Sequence, residues 1–417
     1  MDSYHSATYQ SHNVVLPERM NAPTESAAQH QAPNPGEIKV SHLARRIHGW
    51  SWQAFPIGMG TGAVYVTLSG LKEHANTLTH VETFFYFLNM ALFLLNVTTL
   101  AIQMIVYPTQ ALRLVKDPVK GIFVPLVVLS FATIIIGTIK YAVPSGHVGP
   151  GFIYALFWVY VAFAIIVCFP MLMVWFNQPH DLRTFTPAWA FLMLVGVVAF
   201  NVLDVVPARE ERAVGVLLTG YVFQGLGFFV TFFYICIYLI RRPPGFTALA
   251  LMKLGENAAE ILPLHGLVSE QAGQIWYATS VMSGLMLFGL AVFLFVFGVL
   301  PYWFKVHKHL SEILGCWALT FPNVGWISTI RVLGDVFKLK GFYVWHLAMA
   351  VLMCAVWLVL FALTAYAFVK GKIFLARREE VLQDALERKL LVLHRDRSPR
   401  HSESGSEAYN KEAQGQV

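Results

Sequence analysis

Residues 342–369 read FYVWHLAMAVLMCAVWLVLFALTAYAFV, and residues 81–106 read VETFFYFLNMALFLLNVTTLAIQMIV. Within these two stretches Glu82 is the only Asp, Glu, Lys or Arg residue. A helix of about 20 apolar residues crosses the hydrocarbon core of a bilayer. It also satisfies all of its backbone hydrogen bonds internally. The two stretches therefore predict membrane-spanning helices.

Ten apolar segments of this kind run along the 417-residue chain. The mean hydropathy is +0.57 and 13% of residues are charged, whereas a soluble domain has about 25% charged residues. The sequence therefore predicts an all-α integral membrane protein with ten transmembrane helices. The segments are Trp52–Gly70, Val81–Val106, Gly121–Tyr141, Gly151–Phe176, Pro187–Val206, Ala213–Ile240, Pro243–Leu264, Ile275–Leu300, Ile313–Leu333 and Phe342–Val369.

Prolines divide the ten segments into two classes. Proline interrupts the interior of a helix but is tolerated in its first turn. The alternation indicates interrupted helices that line a path and smoother helices that face lipid or partners. The odd-numbered segments carry Pro56, Pro125, Pro187, Pro243 with Pro244, and Pro322 in or at the start of their first halves, and of the even-numbered segments only the fourth has a proline, Pro170.

The short loops set the expected orientation. Most of their Lys and Arg residues fall on the side that also holds both chain ends, and membrane proteins keep such residues in the cytosol. We expect a disordered cytosolic tail over residues 1–48, a ten-helix transporter domain over 49–370, and a cytosolic helix with a disordered tail over 371–417. Residues 373–393 fit an amphipathic cytosolic helix or a solvated extension of the last membrane helix.

The seventh segment is poor in apolar residues. Its apolar run ends at Leu254, already contains Lys253, and is followed by Glu256 and Glu260. If it did not cross, the loop charges would favour neither side, so we keep ten crossings. Lys253, together with Arg331 in the ninth segment, is a candidate cation for an anionic substrate. Snorkelling to the membrane surface is the alternative.

The first segment contains Gly58, Gly60 and Gly62 at a spacing of two. Glycines permit a break at which the backbone N–H groups of Gly60, Thr61 and Gly62 turn towards an anionic substrate. The alternative is close helix packing by small residues. The spacing alone leaves both interpretations open.

The ninth segment contains Phe321 directly before Pro322. Proline in mid-helix removes one backbone hydrogen bond and clashes with the carbonyl four residues back. The pair predicts a kink with the Phe321 ring at the bend. Phe321 and Pro322 are therefore the candidate pore gate, and a packing role for the ring is the alternative.

Other function classes lack their motifs. The four cysteines are widely spaced within apolar segments and show no disulfide or metal pattern. The chain has no nucleotide-binding loop and no cluster of His or Asp at one membrane face, as a membrane enzyme needs. The net charge of +6 reflects Lys and Arg around the membrane rather than nucleic-acid binding. We expect no enzymatic activity, cofactor or metal, and as partners a lipid bilayer and a small anionic substrate.

Several motifs resemble the tellurite-resistance/dicarboxylate transporter family, to which the slow anion channels belong. They fall in the expected order over residues 45–370, and they resemble most the fungal malic acid (C4-dicarboxylate) transporters. Fungal sulfite efflux pumps and plant slow anion channels are more distant. The motifs are Trp50-Ser51-Trp52, Met59-Gly60-Thr61-Gly62, Thr186-Pro187-Ala188-Trp189, Phe223-Gln224-Gly225-Leu226-Gly227-Phe228, Pro243-Pro244-Gly245-Phe246-Thr247-Ala248-Leu249-Ala250 and Phe321-Pro322-Asn323-Val324-Gly325.

The resemblance implies a fold and a function. In this family five inner, odd-numbered helices line a central pore, five outer helices surround it, and the protein is a homotrimer. A phenylalanine of the ninth helix closes the pore, and Phe321 occupies its place. The implied function is transport of malate and other C4-dicarboxylates across the plasma membrane. Sulfite or inorganic anion efflux is the alternative.

The sequence departs from the family at one point. In the family a longer loop follows the sixth helix, and the seventh helix begins upstream of the Pro-Pro motif. Here Arg241-Arg242 leads directly into Pro243-Pro244. We therefore expect roughly the first half of the seventh helix to be missing. A divergent member that does not transport is a third alternative.

Overall fold

The computed structural model describes residues 40–117, 120–176, 192–238, 245–305 and 313–397. Regular structure in these ranges is entirely helical. The third segment consists of a 3-10 turn (Gly121–Phe123), an α-helix (Leu126–Gly137) and a π-helical turn (Thr138–Ala142). The helices are α1 His42–Gly49, α2 Phe55–Leu68, α3 Asn76–Val106, α4 Pro108–Lys116, α5 Leu126–Gly137, α6 Pro150–Phe176, α7 Leu194–Leu203, α8 Glu211–Tyr238, α9 Gly245–Leu264, α10 Ala272–Lys305, α11 Ile313–Cys316, α12 Phe321–Phe337, α13 Lys340–Val369 and α14 Arg378–Arg397.

Six helical stretches among the described residues are long and apolar enough to cross a membrane. This confirms the prediction of an all-α integral membrane protein. Apolar α7 is shorter, and the residues before it, 177–191, lie outside the described ranges. The six stretches are Asn76–Val106, Gly121–Ala142, Pro150–Val174, Ala272–Val296, Ile313–Phe337 and Lys340–Val369.

Burial separates these stretches into two groups. The most apolar part of Gly121–Ala142 is 72% buried, and that of Ile313–Phe337 is 76% buried. The corresponding parts of the other four stretches are only 22–33% buried. Every residue of α7 is buried as well. A helix that is apolar all round and buried belongs to the interior of a bundle, whereas the exposed apolar faces of α3, α6, α10 and α13 suit lipid.

Packing follows the same division. The buried helices contact one another in the order α2, α5, α7, α9, α12 and back to α2. Each of the exposed helices covers two neighbours of that ring: α3 packs on α2 and α5, α6 on α5 and α7, α8 on α7 and α9, α10 on α9 and α12, and α13 on α12 and α2. The described chain thus has five buried helices in a closed order of contacts and five helices packed on them.

Helix α9 is longer than the apolar run in its sequence. It continues without a break from Gly245 through Lys253 and Glu256 to Leu264, over 20 residues. At about 1.5 Å per residue this is roughly 30 Å, the thickness of a hydrocarbon core. Residues 239–244, where part of the seventh helix is expected to be missing, lie outside the described ranges.

The chain ends differ from their expected boundaries. Residues 42–48, the end of the predicted N-terminal tail, belong to α1 (His42–Gly49), which Ser41 caps and whose His48 is buried. Residues 1–39 and 398–417 lie outside the described ranges.

The C-terminal helix α14 is a separate helix and not an extension of α13. Gly371 and Phe374 have φ of 67° and 53°, which turns the chain between the two helices. Asp384 of α14 is buried, and its carboxylate contacts His48 Nε2 and Arg113 Nη1 at 2.8 Å each. Of the two interpretations of residues 373–393, the structure therefore supports an independent helix docked on the domain.

Candidate functional site

Helix α2 passes through its three glycines without a break. A Cβ atom on Gly60 would lie 2.4 Å from Trp317 Cε3 and 2.6 Å from Thr320 Oγ1. On another face, a Cβ on Gly62 would lie 2.9 Å from Thr133 Cβ. The predicted break is therefore wrong, because the backbone N–H groups stay in the helical ladder. Close packing by small residues, the other interpretation, explains the glycines.

Thr61 is fully buried, and its hydroxyl already has two partners. Its Oγ1 donates to Ile57 O at 2.9 Å and accepts from Trp357 Nε1 of α13 at 3.1 Å. The Thr61 hydroxyl therefore faces α13, the helix that carries Trp357. Substrate binding by Gly60, Thr61 and Gly62 stays a prediction, and Thr61 would have to exchange Trp357 for the substrate.

The ninth segment is broken rather than kinked. Helix α11 ends at Cys316, a 3-10 turn follows over Trp317–Leu319, and α12 begins at Phe321. Pro322 accordingly lies in the first turn of α12, where its missing N–H does no harm. The sequence correctly predicted an interruption here, but its form is a complete break.

Side chains satisfy the carbonyl groups that this break exposes. Thr320 Oγ1 donates to Trp317 O at 2.7 Å, and Asn323 Nδ2 donates to Leu319 O at 2.8 Å. Asn323 Oδ1 in turn accepts from Trp326 Nε1 at 2.9 Å. The broken backbone is thus held in one conformation. Sequence reasoning missed both residues, although polar side chains on either side of Phe321-Pro322 in an apolar segment were the available signal.

Phe321 lies at the start of α12, directly after the break, and is 3% exposed. Its ring packs against that of Phe246 in the first turn of α9, with centroids 5.1 Å apart. The two helices approach closely there, since a Cβ on Gly325 would lie 2.3 Å from Phe246 N. Two aromatic rings from adjacent buried helices therefore meet at the level of the break. Phe246 had no role in the prediction.

Helix α9 has a polar stripe on an otherwise buried surface. Leu254, Ala258 and Ile261 are fully or almost fully buried, and α9 packs against α7, α8, α10 and α12. The half-exposed Lys253 shares a helix face with Glu256, to which its Nζ donates at 2.8 Å. Both side chains are partly exposed on this face.

Arg331 lies in a different polar group. Its guanidinium donates to Asp335 Oδ1 at 2.5 Å and lies over the Tyr343 ring of α13. Tyr343 also donates to Asp335 Oδ1 and has Lys72 over its ring. The structure thus places Arg331 beside α13, and it shows no contact between Arg331 and Lys253. The two candidate cations belong to separate clusters.

Metal chemistry finds no support in the described part of the chain. There, no group of three or more His, Cys, Asp or Glu side chains is placed to hold a metal ion. Cys168 and Cys316 are buried, and Cys354 is partly buried. Their surroundings agree with the prediction that they are small residues of the helix packing.

Known proteins resemble this chain over most of its length. The family model for the SLAC1 voltage-dependent anion channel matches residues 49–242 and 243–365. The malic acid transport protein of Schizosaccharomyces pombe is 24% identical over 82% of this chain and 84% of its own length. A putative malic acid transport protein of the same yeast is also 24% identical, over 81% and 84% of the two chains. The sulfite efflux pump SSU1 of Arthroderma benhamiae is 23% identical over 78% of this chain and 92% of its own length.

The two matched stretches together span most of the chain and include all five buried helices of the ring. The resemblance seen in the sequence motifs is thereby confirmed. Membership of a family of anion channels and transporters also assigns the protein to membrane transport rather than to enzymes. The chain belongs to the SLAC1 family of voltage-dependent anion channels.

Proposed function

We propose that the chain carries malate and other C4-dicarboxylates across the plasma membrane through a pore enclosed by α2, α5, α7, α9 and α12. The observation that carries the proposal is the position of Lys253 in the buried helix α9. The Lys253 side chain stays partly exposed and is paired with Glu256, and an anion inside the ring would meet it there. The two relatives named for malic acid transport support this choice of substrate.

The proposed architecture has ten transmembrane helices, with five inner helices around the pore and five outer helices around them. The closed order of contacts and the difference in burial between the two groups support it. Helix α9 would cross as the seventh helix, since its length matches the hydrocarbon core. Homotrimers with one pore per subunit, and both termini in the cytosol, complete the proposal. Terminal tags that stay inaccessible to antibodies in intact cells test the orientation.

The proposed gate is Phe321, positioned by Pro322. The break precedes α12, and the Phe321 ring packs on Phe246 of α9, another buried helix of the ring. A ring at this place closes a narrow passage when it lies across it. The side-chain bonds of Thr320 and Asn323 hold the break in place independently of the ring.

Sulfite efflux is the second candidate, since SSU1 pumps are about as similar to this chain as the malic acid transporters. Uptake of labelled malate and succinate, and sulfite tolerance, measured in a yeast that lacks its own transporters, separate the two. We expect saturable uptake of both acids above the empty-vector level. Sulfite tolerance without uptake would favour the second candidate.

A chain that does neither would be the divergent, non-transporting member. The two stretches matched by the family model meet at Arg242 and Pro243, where the sequence lacks the expected upstream part of the seventh helix. A variant with a family-like extension at this junction is the matched control. If only the extended variant transports, the short junction is the cause of the defect.

A further inference from the structure

A basic cluster surrounds the short connector between α13 and α14. The connector, residues 370–377, directly follows membrane-spanning α13, and α1 packs against it. Arg45 Nε donates to Ala376 O at 2.9 Å, and Arg46 Nη1 donates to Ile373 O at 3.0 Å. Two arginines near the start of the domain thus join the basic residues of the connector. The cluster consists of Arg45, Arg46, Lys370, Lys372 and Arg377.

The charges of this cluster are not neutralised within the described part of the chain. The two guanidinium groups bond to carbonyl oxygens, and no described carboxylate forms an ion pair with any of the five residues. The buried carboxylate of α14, Asp384, pairs instead with His48 and Arg113. Burial and the neighbouring Arg45 lower the pKa of the Arg46 guanidinium. An anion beside it would therefore be stabilising.

The exposed Glu379 and Glu380 follow in the first turn of α14. Two carboxylates offset only part of five positive charges. Lys370, Lys372 and Arg377 are themselves exposed. The surface around the connector is therefore cationic and open to a partner.

Aromatic and apolar side chains place the cluster at the membrane surface. Arg46 lies over the ring of Phe368 in the last turn of α13, 4.0 Å from its centroid, and Lys370 Nζ lies over the ring of Tyr366. Both rings are partly exposed, and aromatic rings near the ends of a spanning helix mark the membrane boundary. Leu43 shares a face of α1 with Arg46 and is 68% exposed. An exposed leucine beside a cation suits a bilayer surface better than a water-soluble partner.

We propose that this cluster binds the headgroups of anionic phospholipids in the leaflet that borders the C-terminal end of α13. With both termini in the cytosol, as proposed above, this is the cytosolic leaflet, which carries the anionic lipids. The cations complement the headgroups, and the exposed leucine and aromatic rings complement the apolar boundary below them. Bound lipid would fix α1 and the connector at the membrane. The site takes membrane lipid and not the transported anion, so it does not depend on the substrate.

The test is native mass spectrometry of the purified full-length chain in mixed micelles of phosphatidylserine and phosphatidylcholine. Wild-type chain should retain phosphatidylserine in preference to phosphatidylcholine. A variant that replaces the three exposed basic residues of the connector should lose this preference by about tenfold or more, since each basic residue near an anionic surface contributes about fivefold. Its substitutions are Lys370→Gln, Lys372→Gln and Arg377→Gln.

The matched control removes the same charge from three exposed lysines near the other end of α13 and should keep the wild-type preference. Its substitutions are Lys72→Gln, Lys338→Gln and Lys340→Gln. Equal thermal unfolding midpoints in phosphatidylcholine micelles show that both variants are folded.

Three results would overturn the site. Wild-type chain could retain the two lipids equally, or both triple variants could lose the same preference. Displacement of the lipid by excess inorganic phosphate at constant ionic strength would instead assign the cluster to a soluble anion. Because the measurement is lipid retention, each of these results leaves the proposed transport standing.

Discussion

The first and ninth segments contain adjacent buried helices of the ring. Both segments carry helix-breaking residues, but these residues interrupt only the ninth. The first carries three glycines and stays helical, whereas the ninth breaks completely before Phe321. In both, a proline occupies the first turn, Pro56 in α2 and Pro322 in α12. The difference teaches that glycine, which keeps its N–H, does not break a tightly packed helix. In the ninth segment the break precedes Pro322, which has no N–H, and the Asn323 side chain satisfies Leu319 O.

A side chain at Gly60 of α2, the unbroken helix, should reduce stability more than the other changes below. In Gly60→Ala the new methyl group would overlap Trp317 and Thr320. We expect destabilisation by about 3 kcal/mol, the upper end of the cost of overpacking, seen as a lower midpoint of thermal unfolding in detergent. Gly225→Ala on α8, where a Cβ meets nothing within 4 Å, should be neutral. Equal midpoints in the two variants would refute the tight contact between the first and ninth segments.

Removing the side chain that stabilises the break should cost somewhat less. Asn323→Ala leaves Leu319 O and Trp326 Nε1 without their partners. Unsatisfied buried groups of this kind cost about 2 kcal/mol together. The same thermal measurement checks this value. Stability equal to wild type would mean that the break does not depend on Asn323.

The smallest effect is expected at Thr61. Thr61→Val keeps the shape of the side chain but loses the bonds to Ile57 O and Trp357 Nε1. We expect a loss of about 1 kcal/mol. Trp357→Phe removes the same bond from the other side but also leaves a cavity where the larger buried ring packed, and should therefore cost more. A raised KM at unchanged stability would instead place the Thr61 hydroxyl on the substrate.

The fold was largely predictable because its signals are local. Long apolar segments form helices in lipid, because a helix satisfies its own backbone hydrogen bonds. The prolines indicated which of these helices are interrupted and buried. The character of α2 and of the break at Phe321 depended on partners distant in sequence, Trp317 against Gly60 and Phe246 against Phe321. No spacing within one segment encodes such contacts.

The central claim is that the ring of buried helices encloses an anion path that Phe321 closes. Phe321→Ala tests it most directly, by patch-clamp current in malate normalised to surface protein. Phe157→Ala, a fully buried ring of α6, is the matched control and should cost about 3–5 kcal/mol by leaving a cavity, without a gain in current per molecule. The account predicts a larger current per surface molecule for Phe321→Ala than for wild type. A current that is unchanged or reduced at equal surface level would contradict it.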